Sequence, residues 1–168
     1  IREDYGRRIR SICEPPAMLQ AVFYRSSAAR GGLQNQEEPM YIKTVWAAYF
    51  SATQTTKTTV EAIAGEAAQS CGAAMKCWDW TLPQARTEGK AFSEEDVVIF
   101  GTPVYAGRVP NVLLGDFERI SGGGAMAVAV CSYGNRHYDD ALIELRDLLE
   151  RRGFRVIAAA AFIGEHSF

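Results

Sequence analysis

The chain has 168 residues, 48% hydrophobic and 23% charged, with a formal net charge of −2. That length suits one domain with a real core, and the balance is that of an ordinary globular protein. Nothing in it suggests a nucleic-acid partner, whose electrostatic footprint would be a basic stripe. No uninterrupted apolar run is long enough for a membrane span.

The four cysteines, Cys13, Cys71, Cys77 and Cys131, form no C-x-x-C pair. This argues against a zinc or iron–sulfur site within the chain. Scattered cysteines fit a reducing, cytoplasmic setting better than a disulfide framework. Residues Ile1 to Glu38 are Arg-rich, lack sustained periodicity and contain Pro15-Pro16 and Gly31-Gly32. They hold no continuous apolar middle of the kind a secretory signal needs. The domain is therefore expected to begin near Met40, with residues 1–39 a disordered or non-native extension. The rival is an N-terminal arm that docks as a short helix through Leu19, Val22, Phe23 and Tyr24.

From Met40 the pattern alternates. Lys43 to Phe50 reads as a buried strand. Thr56 to Ser70 reads as a helix with Val60, Ile63 and Ala67 on one side, stopped by Cys71-Gly72. Ala74 to Trp78 is a weaker strand. Thr81 to Phe92 is mostly polar and interrupted by Pro83 and Gly89, so any helix there is short. Val97 to Gly101 is a strong buried strand. Pro110 to Ile120 reads as a helix with proline in its first turn, and Ser121 to Gly124 as a turn. Ala125 to Cys131 is another apolar strand. Tyr138 to Arg152 reads as an amphipathic helix. Its apolar face is Ala141, Leu142, Leu145, Leu148 and Leu149, its dipole is favoured by Asp139 and Asp140, and Gly153 closes it. Phe154 to Ile163 is the final strand.

Five apolar strands separated by helices or helix-sized links imply βαβ units, hence a mainly parallel sheet with helices on both faces. In such sheets ligands bind outside the carboxyl ends of the strands. Function is thus expected in three loops: Ser51–Thr56, Thr102–Arg108 and Ser132–His137.

The first loop runs from an apolar strand straight into a helix start, carrying the hydroxyls of Ser51, Thr53, Thr55 and Thr56. Free amides and hydroxyls aimed at one point suit a phosphate held by neutral donors. The same cluster also serves as an ordinary helix cap. It is neither G-x-x-x-x-G-K-[ST] nor G-x-G-x-x-G. In the second loop Tyr105 can cover a flat ring, and Gly107 leaves the backbone free to change conformation; read alone, the stretch is more simply a plain strand-to-helix turn capped by Pro110. The third loop supplies Tyr133, Gly134 and Asn135, whose amide can read a carbonyl or a ring N–H. His137 reads as a solvent-facing residue at a helix start. No nucleophile–base pair suggests hydrolysis.

Ser51-Ala52-Thr53-Gln54-Thr55-Thr56 resembles the flavodoxin phosphate loop, [S/T]-x-T-G-x-T. Thr102-Pro103-Val104-Tyr105-Ala106-Gly107-Arg108-Val109-Pro110, Tyr133-Gly134-Asn135-Arg136 and Phe162-Ile163-Gly164-Glu165-His166-Ser167-Phe168 are similar to one branch of that family. There, a flavodoxin-like domain is followed by a ferredoxin domain with two four-iron clusters. The resemblance covers roughly Met40 to Phe168. It implies an α/β, doubly wound five-stranded parallel sheet of order 2-1-3-4-5 that binds FMN. Carried over, Ser51, Thr53, Gln54, Thr55 and Thr56 hold the phosphate. The second and third loops sandwich the ring, through Pro103, Val104, Tyr105, Ala106 and Gly107 on one side and Tyr133, Gly134 and Asn135 on the other. The backbone at Ala106-Gly107 faces flavin N5. An apolar, aromatic, acidic surrounding then lowers the flavin potential.

The resemblance implies an electron-transfer flavoprotein domain that exchanges electrons with a redox partner protein or a fused ferredoxin domain. The 4Fe-4S clusters would lie only in a missing C-terminal part. The role fits an electron carrier better than a substrate-specific enzyme. The alternatives are an FMN oxidoreductase, such as a quinone reductase or protoporphyrinogen-oxidase-like protein, and a module that keeps the fold without flavin. Two departures stand out. Gln54 replaces the usual glycine, which matters if that position needs φ > 0. The sequence also ends just after the fifth strand, so the last helix is expected to be missing and part of one sheet face bare.

Overall fold

The computed structural model describes residues 41–134 and 137–164. The expectations for residues 1–39, for Asn135 and for the end of the Phe162–Phe168 stretch lie outside the described residues.

The first βαβ unit is β1 (Thr44–Tyr49), α1 (Thr55–Cys71) and β2 (Ala74–Asp79). Helix α1 stops at Gly72, which takes the left-handed conformation at φ 63°, and the Ala73 N–H reaches back to the Ala68 carbonyl. A 3-10 turn at Pro83–Arg86 and the short β3 (Lys90–Ala91) lead to β4 (Asp96–Pro103). Helix α2 (Asn111–Leu114), a 3-10 turn at Asp116–Arg119 and β5 (Ile120–Ser121) precede β6 (Met126–Tyr133). Helix α3 (Ala141–Arg151) returns the chain to β7 (Arg155–Ile163).

Five strands form one sheet in the order β2-β1-β4-β6-β7, with every neighbouring pair parallel. Counted among themselves, these strands run 2-1-3-4-5, the expected order. The two short strands β3 and β5 pair separately.

The period of two in each strand sends alternate side chains to opposite faces. Val45, Ala47 and Tyr49 of β1 meet Val60, Ala64 and Ala68 of α1 on one face. Ala48, Phe50 and Phe100 meet Trp80, Phe117 and the α3 residues Leu145 and Leu149 on the other. Each buried leucine or phenylalanine of this kind contributes about 1.5–3 kcal/mol. Helix α1 reaches across to the end of β6, where Thr56 meets Ser132, and on the edge strand β7 Ile157 and Ile163 stay 45% and 60% exposed. No described helix is long and apolar enough to cross a membrane.

One expectation is refined and two are corrected. The expected side of α1 holds, with Val60 buried and Ile63 and Ala67 half-buried against the same core, and the fully buried stripe runs along Thr56, Val60, Ala64 and Ala68. Small residues set this choice, because they let the helix lie close to the sheet. The helix expected over Pro110 to Ile120 is one short turn of α-helix followed by a 3-10 turn. There the Asp116 carboxylate is held by Arg86 and Arg119, and Ile120 is drawn into pairing with Lys90. The helix expected from Tyr138 begins at Ala141, because Asp139 has φ 43°, which a right-handed helix cannot contain. Asp139 therefore lies in the preceding turn, and Asp140 is the N-cap, with no side-chain cap bond.

Candidate functional site

The carboxyl ends of β1, β4 and β6 open into the three expected loops. In the first, Ser51 is buried: its Oγ accepts the Lys57 N–H at 3.1 Å, and its own N–H donates to Thr81 Oγ1 at 2.9 Å. Gln54 is the N-cap of α1 at φ 67°, a left-handed conformation held by a side chain other than glycine. The first intrahelical bond runs from the Thr58 N–H to the Gln54 carbonyl. The amides of Thr55 and Thr56 precede it and so have no intrahelical acceptor. The first turn of α1 contains no acidic residue to compete for them. Thr53 and Gln54 are exposed and Thr55 is half-buried.

Gly101 brings that helix end close. A Cβ there would lie 2.2 Å from Val60 Cγ2 and 3.0 Å from Thr56 Cγ2. Only a glycine in β4 lets the first turn of α1 rest on the sheet at this point. Thr56 turns its hydroxyl inward to pair with Ser132 Oγ, both residues being buried.

The second loop is a tight hairpin. Tyr105 and Arg108 exchange both backbone bonds, at 3.0 and 3.1 Å, around Ala106 at φ 51° and Gly107 at φ 76°. Two successive positive φ values define the tight turn and account for the glycine. Tyr105 is 49% exposed. Pro103 ends β4 and accepts the Thr102 hydroxyl at 3.2 Å. Val104 packs on the core and donates its N–H to the Ser132 carbonyl at 2.8 Å. At the tip, a Cβ on Gly107 would sit 2.5 Å from Asp139 Oδ2.

In the third loop Tyr133 and Tyr138 meet edge to face at 5.4 Å, and His137 stacks on Tyr138 at 5.0 Å. His137 is largely exposed and its Nδ1 accepts the Asp139 N–H. Gly134 is half-buried. The Tyr133 carbonyl accepts the Gly164 N–H at 2.7 Å, and Gly164 lies against Thr55.

The structure thus brings together the described candidates from all three loops. Ser132 is the joint: its hydroxyl meets the first loop and its carbonyl meets the second. It changes the roles of two residues, since Ser51 and Thr56 use their hydroxyls to build the loop. The outward donors are the Thr55 and Thr56 amides with Thr53, Gln54 and Thr55. Sequence reasoning did not single out Ser132 itself, Thr81 or Glu144. Glu144 holds the second loop through Arg108 and Val109, contacts made across 35 and 36 positions of chain that no local pattern announces. Arg108 holds the Glu144 carboxyl below the usual carboxylate range; burial opposes the shift, and the Val109 amide supports it.

No family model matches the chain, and no curated protein matches it. A crystal structure of a putative flavoprotein from Bacteroides uniformis ATCC 8492 is similar, with a TM-score of 0.51 and 17% identity over 74% of this chain and 92% of that one. With the strand order 2-1-3-4-5, that likeness decides the architecture. The fold is flavodoxin-like. Also similar are a flavodoxin from the domain Archaea, with a TM-score of 0.48 and 16% identity over 75% of this chain and 86% of that one, and a putative flavoprotein from Bacteroides eggerthii DSM 20697, with a TM-score of 0.45 and 19% identity over 71% and 87%.

Proposed function

We propose that this flavodoxin-like domain binds FMN and carries electrons. The reading rests on one observation: three loops at the carboxyl ends of adjacent strands, joined through Ser132, set the α1 N-terminus beside an aromatic-bearing hairpin. The donor set fits the group. A helix start with orphan amides, no first-turn acid and neutral side-chain donors suits the phosphate of FMN. The flat ring needs an apolar or aromatic surface, which Tyr105 and Tyr133 supply. The Thr55 and Thr56 amides with Thr53, Gln54 and Thr55 would hold the phosphate. Ala106-Gly107 would flank the ring edge with backbone groups.

When bound, the flavin supplies the electron-transfer chemistry. The chain's own residues bind it, orient it and exclude water from one side. The partner would be a redox protein or a ferredoxin domain that holds 4Fe-4S clusters.

The test is titration of the purified chain with FMN, following fluorescence quenching and thermal unfolding. Saturable binding near one FMN per chain is expected, with stabilisation of about 2.7 kcal/mol at a free concentration one hundred times Kd. Unquenched fluorescence and an unmoved melting temperature at millimolar FMN would overturn the proposal.

A further inference from the structure

The second loop is anchored from both sides. Upstream of its turn, the Val104 N–H is fixed to the Ser132 carbonyl. Downstream, Arg108 and Val109 are fixed to a single side chain. Glu144 Oε2 accepts the Arg108 Nε–H at 3.0 Å and the Val109 N–H at 2.9 Å, while Oε1 accepts Arg108 Nη2 at 2.7 Å. Three donors on one carboxylate fix its orientation as well as its charge, and the fork of the guanidinium matches it in plane. The Glu144 side chain is only 15% exposed, whereas Arg108 is 57% exposed. The anchor therefore lies on the helix and its exposed partner on the hairpin. Between the two attachments lie Tyr105, Ala106 and Gly107; the Tyr105–Arg108 backbone bonds close the turn at its two positive-φ residues, and the two attachments set where that closed turn stands.

We propose that Glu144 is the positioning residue of the hairpin that faces the flavin ring. It fixes where Tyr105 and the Ala106-Gly107 backbone stand, without touching the cofactor. This rests on the FMN reading above. The consequence is selective. Loss of Glu144 loosens contacts to the ring and leaves the phosphate end alone, because the first loop has its own supports in Ser51, Thr81 and Ser132.

The experiment compares the wild-type chain with Glu144→Gln and, from the hairpin side, Arg108→Ala. The probes are FMN, riboflavin, which has the ring without the phosphate, and inorganic phosphate as a competitor of FMN. Amide hydrogen exchange of the ligand-free proteins is measured alongside. Wild type is titrated first, and its failure to bind FMN would overturn the cofactor reading and this proposal with it. Given wild-type binding, both variants should weaken FMN and riboflavin by the same factor, about tenfold, on the scale of a lost charge-assisted hydrogen bond. Competition by phosphate should not change, and exchange at Val109 should speed at least tenfold. Unchanged FMN affinity would defeat the positioning role while leaving the FMN reading intact. Parallel loss of phosphate competition would reduce Glu144 to a general structural residue, which also defeats it.

Discussion

Thr56 and Ser132 pair their hydroxyls within the buried carboxyl end of the sheet, binding the first turn of α1 to the end of β6. Each is the other's partner, so removing one leaves the other buried without it. Ser132→Ala and Thr56→Val should each destabilise by about 1–3 kcal/mol. The double variant should cost less than the sum, because no orphan remains. A denaturant double-mutant cycle reads the coupling. Strict additivity would show that the pair contributes nothing as a pair.

Gly101 governs how closely α1 approaches. Gly101→Ala places a methyl 2.2 Å from Val60 Cγ2, on a β-branched side chain that cannot swing aside. The helix must lift, at a cost of about 1–3 kcal/mol. Val60→Ala in the same chain should recover part of that loss by making room. Urea unfolding of the two singles and the double decides it, and failure of Val60→Ala to compensate would place the strain elsewhere.

The Glu144 carboxylate also gives the domain a pH signature. Its pKa is lowered in the folded state, chiefly by Arg108. The stabilisation is therefore complete above the unfolded value near 4.5 and lost as pH falls through the lower folded value. Wild type should exceed Glu144→Gln in stability at pH 7, and the gap should close progressively below about pH 4.5. Unfolding curves from pH 7 to pH 3 measure this. A gap that widens on acidification would show that the sign is wrong.

The strands were legible because alternation, apolar runs and glycine stops are local signals, as with Cys71-Gly72 and Val97 to Gly101, whereas their order came from the resemblance of the loops to the flavodoxin family. The three loops were legible because they follow strand ends. Tertiary contacts decided the rest. The break after Leu114 follows from the pairing of Ile120 with Lys90 and from the grip of Arg86 and Arg119 on Asp116. The late start of α3 follows from the turn at Asp139, which the run of polar residues there does not distinguish from a first helical turn. Inward rotation of Thr56 depends on Ser132, 76 positions away. Hydroxyl count alone cannot say which hydroxyls face a ligand.

Gln54 provides the sharpest separation of stability from binding. Its left-handed conformation costs a non-glycine residue about 1–2 kcal/mol of strain. A substitution that keeps the size of the side chain keeps that strain and changes only the chemistry at the helix start. Gln54→Glu keeps the size and adds a negative charge at the start of α1, where the first turn has none. That charge favours the helix dipole by about 0.3–1 kcal/mol, so the ligand-free chain should be as stable as wild type or slightly more so. The same charge repels a phosphate at the same amides, so FMN should bind at least tenfold more weakly while riboflavin is unaffected. Calorimetric titration with the two flavins, beside a thermal melt, reads both signs in one pair of proteins. Equal weakening of FMN and riboflavin would move the phosphate away from this loop.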